Sequence, residues 1–143
     1  MEAQNFKNHG RLVTGYHKVL YPLLLAGVIG SCINLNQSCA NSNCYNASLI
    51  LLLFITVILA AYFTRSFALK AQDRAIRAEE NMRHFLMTGK PLPSALTTRQ
   101  IIGLRFASDE EFIELINDAI ENKLNSKQIK TKIKNWKADH YRV

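Results

Sequence analysis

The sequence predicts an all-α membrane protein: a two-helix transmembrane hairpin, the second helix extended into a cytoplasmic stalk, followed by a small helical C-terminal domain. Three observations predict it. No Lys, Arg, Asp or Glu occurs between Lys18 and Arg65. Such an uncharged run is too long for one span and fits two spans with a short turn, because about 20 apolar residues cross a hydrocarbon core of about 30 Å. No Pro or Gly interrupts the chain from Ser48 to Thr88, so the apolar stretch Ser48–Thr64 runs directly into a segment rich in Ala, Glu, Arg, Gln and Met, all good helix formers. Beyond Pro93, two sequences of capping-box form precede apolar-periodic runs.

With 143 residues the chain has room for one domain and a membrane anchor. The formal net charge of +7 is unevenly placed. Arg99, Arg105 and Lys123 face six acids in residues 95–124: Asp109, Glu110, Glu111, Glu114, Asp118 and Glu121. Residues 125–143 hold Lys127, Lys130, Lys132, Lys134, Lys137 and Arg142 against Asp139 alone.

Residues 1–18 form a cytoplasmic or interfacial segment. Gly10 and Gly15 oppose a strong helix there, and Phe6, Tyr16 and Tyr21 suit a membrane surface, where amphipathic rings are favoured. His9 and His17 have no nearby carboxylate or Cys, and are read as interfacial hydrogen-bonding groups. The hairpin occupies 19–64, with spans at about 19–35 and 48–64 and an outer loop at 36–47. Pro22 lies in the first turn of the first span, where a missing N–H costs little. Ala26 and Gly30 make a small-xxx-small pair, with Gly27 beside them, and such positions admit a second membrane helix; the expected counterpart is the Ala60/Ala61/Thr64 face of the second span or its earlier turns. The loop is uncharged, and its Cys39 and Cys44 are a candidate disulfide if that side is oxidising. Ile29-Gly30-Ser31-Cys32 also has the form of a lipobox; the alternative reading of Cys32 is a small apolar residue within a span.

Lys7, Arg11 and Lys18 precede the hairpin and Arg65, Lys70, Arg74 and Arg77 follow it, while the loop has no basic residue. The excess of Lys and Arg on cytoplasmic flanks then places both termini in the cytoplasm. The stalk, 65–88, continues a seam that starts in the second span: Ala61, Thr64, Ala68, Ala71, Ala75, Ala78, Met82 and Phe85. Its steps alternate three and four, as on a coiled-coil face. The seam either packs on another helix of the same chain or self-associates.

Gly89-Lys90-Pro91-Leu92-Pro93 ends the stalk, and residues 89–143 form a small three-helix cytoplasmic domain. Thr97-Thr98-Arg99-Gln100 opens a short helix to about Phe106, and Ser108-Asp109-Glu110-Glu111 opens another to about Leu124, with acids over its N-terminus. Asn125 or Ser126 caps a last helix through about Ala138. Ile129, Ile133 and Trp136 line one face of it, and Lys127, Lys130, Lys134 and Lys137 form a basic stripe on another. This tail helix is expected to fold back on the acidic helix, burying Trp136, with Ile101 and Leu104 completing the bundle. The competing reading lays it on an anionic bilayer.

Gln72–Glu80, Leu104–Glu111, Asn5–His9 and the Ile129…Trp136 segment together resemble an uncharacterised bacterial family of small two-span membrane proteins, a domain of unknown function. The resemblance covers almost the whole chain and implies an architecture, with no catalytic or ligand residue to transfer. It also disfavours cleavage at the lipobox-like segment.

No P-loop, G-x-G-x-x-G, H-E-x-x-H or G-x-S-x-G pattern is present. No catalytic residue, metal ligand or cofactor is expected. The leading expectation is a non-enzymatic, membrane-anchored interaction protein of the bacterial inner membrane, an accessory or assembly subunit of a membrane complex. Its expected partners are the lipid bilayer and a protein partner, or a second copy, reached through the stalk; nucleic acid is not expected. One alternative is a membrane-tethered binder of anionic lipid or nucleic acid through the basic tail. Another is a redox-responsive sensor using Cys39 and Cys44.

Overall fold

A computed structural model of the chain describes residues 5, 6, 10, 12–40 and 43–139. Among these residues the fold is all-helical, with no strand and one isolated bridge, Ala107 to Trp136. A π-helical turn, Gly15–Leu20, leads into α1 (Tyr21–Ala40). Then follow α2 (Cys44–Thr88), α3 (Thr98–Leu104), α4 (Asp109–Glu121) and α5 (Ser126–Lys132). The chain divides into two compact units, Leu12–Ala68 and Leu69–Val143, the latter joined by Met1–Arg11. His9, Lys7 and Arg11 lie outside the described residues, as do residues 140–143.

In the first unit, α1 packs against the N-terminal half of α2. Leu24 and Ser31 are buried on α1, and Ala47 is buried on α2. The Tyr16 hydroxyl donates to the Ala61 carbonyl at 2.6 Å, and the Arg65 guanidinium lies over the Tyr16 ring at 5.6 Å. The disulfide Cys39–Cys44 closes the turn. The connecting loop is much shorter than 36–47, because helix persists to Ala40 and resumes at Cys44. Uncharged Asn, Gln and Ser side chains do not stop a helix whose neighbours support it; the Ser38 hydroxyl, for instance, reaches Asn34 one turn back. Gly15 likewise starts a helical turn rather than preventing one.

The close helix approach is at Gly27, not at Ala26 and Gly30. A Cβ on Gly27 would overlap the Phe54 ring, whereas a Cβ on Gly30 meets nothing, and both Ala26 and Gly30 are exposed. The small-xxx-small spacing identifies small residues but not which side of the helix meets its neighbour. Tyr16 and Tyr21 stand edge to face at 5.0 Å. Phe6 is half-buried.

The second unit buries Phe106, Phe112, Leu104, Ile116 and Ile129 almost completely. Thr97 with Gln100, and Asn125 with Gln128, form complete capping boxes. Gln100 also donates to the Leu124 carbonyl at 2.9 Å, tying the start of α3 to the end of α4. Gly103 lets α3 approach α5 closely: a Cβ there would sit 3.2 Å from Ser126 Oγ. Helix α4 stops at Glu121, short of Leu124, because Lys123 turns left-handed at φ 48° and the Leu124 N–H reaches back to Ala119, a Schellman-type ending.

Two expectations for this unit are corrected. Ser108 makes no side-chain cap on α4. The Glu111 carboxylate, expected to complete that box, instead accepts the Lys134 and Asn135 N–H groups at 3.1 and 3.0 Å. For the same reason the last helix does not continue to Ala138. It ends at Lys132, Ile133 is extended, and the Lys137 N–H donates to the Phe106 carbonyl at 2.8 Å. A short helix of modest propensity carries a nucleation cost, and here its next backbone donors find acceptors outside it. The tail does fold back into the bundle, but α5 packs mainly on α3 and only secondarily on α4. Ile129 and Ile133 are buried in the core, and Trp136 is half-buried rather than buried, 5.1 Å from Phe106 between ring centroids.

The Gly27 contact has a measurable consequence. Gly27→Leu should lower the unfolding temperature of the purified protein in detergent, an overpacking cost of roughly 1–3 kcal/mol. Gly30→Leu should leave it unchanged. The two melting curves compared with wild type check this.

Candidate interaction site

The charged half of α2 has two chemically different faces. One packs on its own domain. Ile76, Glu80 and His84, spaced i, i+4, i+8, are all buried, one stripe of a 3.6-residue helix. Arg83 lies beside them and is the polar centre of the contact. Its Nη1 donates to Glu80 at 3.1 Å, its Nη2 to the Ala107 carbonyl at 2.8 Å, and its Nε to Asp109 at 2.7 Å. The guanidinium carbon stands 4.1 Å from the Phe112 ring centroid. A planar fork reaches these three acceptors from three separate nitrogens while its plane lies on the Phe112 ring, which an ammonium with a single nitrogen cannot do. His84 Nδ1 pairs with the Lys90 carbonyl at 2.8 Å, so the ring holds the turn after α2 against the helix it leaves. At that turn Gly89 adopts φ 72°, and its N–H bonds to the Phe85 carbonyl.

Burial pushes the Glu80 carboxyl above the usual carboxylate range, and the hydrogen bond from Arg83 only partly offsets this. Asp118 is shifted the other way: hydrogen bonds from Lys132 (2.6 Å) and Asn122 (2.7 Å) hold its carboxyl below the usual range.

The other face of α2 is uncovered. Of the seam residues, Ala61 and Ala68 are half-buried, while Ala71, Ala75, Ala78, Met82 and Phe85 are exposed. The side chains of Met82 and Phe85 are 59% and 50% exposed. Thus, among the described residues, the stalk part of the seam from Ala71 to Phe85 is not covered by another helix of the same chain. The helix rests on its domain through a different stripe, at Ile76, Glu80 and His84. Ala78, Met82, Leu86 and Met87 line a shallow, mainly apolar groove edged by Arg83 and Asp109.

The basic tail residues do not form one stripe. Lys127 and Lys130 are on α5, but Lys134 and Lys137 lie in the extended segment beyond it. Lys130 is half-buried, its ammonium 5.2 Å from the Phe106 ring centroid. Among the described residues no group of three or more His, Cys, Asp or Glu side chains is placed to hold a metal ion. Arg83 and His84 were not singled out in the sequence. Their only signal is the i, i+4 spacing of Ile76, Glu80 and His84, which a polar-rich segment obscures.

The Glu80 shift fixes a sign. Its folded pKa lies above the unfolded one, so its contribution to stability is complete below the unfolded value and is lost as pH rises through the folded value. Glu80→Gln removes that loss, so the variant should gain on wild type as pH rises through the acidic range toward neutrality. Asp118→Asn should show the opposite trend, falling behind wild type above the unfolded value and matching it in acid. Unfolding free energies of the three proteins measured against pH check both signs.

Comparison with known proteins gives one match. A model described as "Family of unknown function (DUF6526)" matches residues 1–143. No curated protein and no solved structure matches the chain. The match spans all 143 residues, and the chain therefore belongs to this family of unknown function.

Proposed function

We propose that the protein is a non-enzymatic membrane-anchored interaction protein, an accessory or assembly subunit of a membrane complex, in the inner membrane of a bacterium with both termini cytoplasmic. The observation that carries this reading is the exposure of the two long apolar helices. Both are long and apolar enough to cross a membrane, and their side chains point outward: Leu23, Leu25, Leu52 and Leu53 are 64%, 63%, 57% and 61% exposed. A core helix of a water-soluble protein would be mostly covered. Leaving one such side chain in water rather than burying it forgoes roughly 1.5–3 kcal/mol, so this surface needs lipid or protein around it.

The disulfide Cys39–Cys44 fits the proposed topology, because disulfides persist on the oxidising, non-cytoplasmic side. That is also the side which the Lys and Arg distribution gives to the turn. The interaction role rests on the uncovered apolar face of α2. The alternative of a lipid- or nucleic-acid-binding tail loses its main physical support, since the basic residues are split between a short helix and an extended segment held to Glu111 and Phe106.

Two measurements test the anchoring. The chain should stay in the membrane pellet on alkaline carbonate extraction. In intact cells, Asn46→Cys in a Cys32→Ser background should react with an impermeant maleimide while a tag after residue 143 stays protected. Release by carbonate, or a tag accessible from outside, contradicts the reading.

A further inference from the structure

We propose that the uncovered face of α2 is a parallel coiled-coil interface with a second copy of this chain. The seam Ala68, Ala71, Ala75, Ala78, Met82, Phe85 occupies alternating a and d positions, with Ala68, Ala75 and Met82 at a and Ala71, Ala78 and Phe85 at d. Its members from Ala71 onward are exposed, and the stripe that packs on the chain's own domain, Ile76, Glu80 and His84, falls at b, f and c on the opposite side. A second helix can therefore be received without disturbing the Arg83 contacts.

The flanking charges select the occupant. In this register Arg74 is a g position and Glu79 the following e position. In a parallel pair each g residue faces the next e residue of the other helix, and this is the arrangement in which e and g charges set partner choice and orientation. Two copies thus place Arg74 of each opposite Glu79 of the other, two complementary pairs related by the twofold axis. Both residues are exposed, so both are available for such pairing. The remaining g–e pairs, Phe67 with Gln72 and Asn81 with Leu86, place no like charges together. The parallel sense follows from the membrane-anchored reading, on which this inference rests: copies inserted the same way present α2 in the same direction. The alanines allow close approach, and Met82 and Phe85 supply the larger apolar contact at the C-terminal end of the seam.

The test is cross-linking of the full chain in native membranes. In a Cys32→Ser background, Ala78→Cys at d should give a disulfide-linked dimer on mild oxidation, at least several-fold more than Arg77→Cys at c. Arg74→Glu and Glu79→Arg should each reduce the Ala78→Cys dimer a few-fold, roughly the scale expected for two exposed ion pairs. The double variant Arg74→Glu/Glu79→Arg should restore it. Residues five apart do not face each other along one helix, whose neighbours are three and four apart, so restoration reports pairing between copies. Equal cross-linking at 77 and 78, no recovery in the double variant, or a product containing a different protein would each overturn the proposal. Carbonate extraction of the same membranes separates the two ideas. A pelleted chain without the position-78 dimer refutes the coiled coil alone, whereas a released chain refutes the anchoring and the parallel alignment with it.

Discussion

The second unit depends on the fork of Arg83. A guanidinium on α2 satisfies the Ala107 carbonyl at the entrance to α4, pairs with Glu80 on its own helix, reaches Asp109 in the first turn of α4, and covers the Phe112 ring. These contacts are not equal. Asp109 is 72% exposed, so its ion pair is worth about 1 kcal/mol or less. The Arg83 side chain is almost covered, so its hydrogen bond to the Ala107 carbonyl and its packing on the Phe112 ring are little screened by solvent. These two contacts, not the surface pair, hold α2 to the bundle, and Glu80 positions the guanidinium from the same helix.

That constraint divides α2 between two roles. The residues that meet the bundle are large or charged and recur every turn, at Ile76, Glu80, Arg83 and His84. The seam facing away holds Ala71, Ala75 and Ala78, with Met82, Phe85 and Leu86 near the end, and charged residues such as Arg74 and Glu79 flank it. Alanine outside the contact keeps the helix stable through propensity alone. It also leaves a surface smooth enough for another helix. Polar closure of the domain and an apolar outer face are thus consequences of one register on one helix, which is the physical basis for reading the protein as an interaction module.

The sequence made the helices legible where a local rule governs them. The uncharged run 19–64, the breaker-free stretch to Thr88, the Gly89 ending and the Thr97 and Asn125 caps all depend on nearby residues, and each has its counterpart in the structure. What depended on distant partners was not legible. Ser108 and Glu111 have the form of a capping box, but Glu111 is taken by the backbone of residues 134 and 135. The tail has helical spacing through Trp136, but its N–H groups after Lys132 bond to α4 and to Phe106. Gly30 has the right neighbours for a helix crossing, yet Gly27 has the right azimuth. For the candidate site, the alanine seam was visible as a pattern; which face of α2 the domain would occupy was not, because that is decided by Arg83 and His84 meeting groups more than one turn away.

Hydrogen exchange of the full-length protein in detergent, wild type against Arg83→Lys, tests this account most directly. Lysine keeps the charge and loses the fork. In wild type, amides of 76–88 and of 112–119 should be protected to a similar level, as parts of one cooperative unit. In Arg83→Lys both segments should lose protection together, by an order of magnitude or more. Unchanged protection of 112–119 in the variant would show that α2 and the bundle are stable independently, and would contradict the central role given to Arg83.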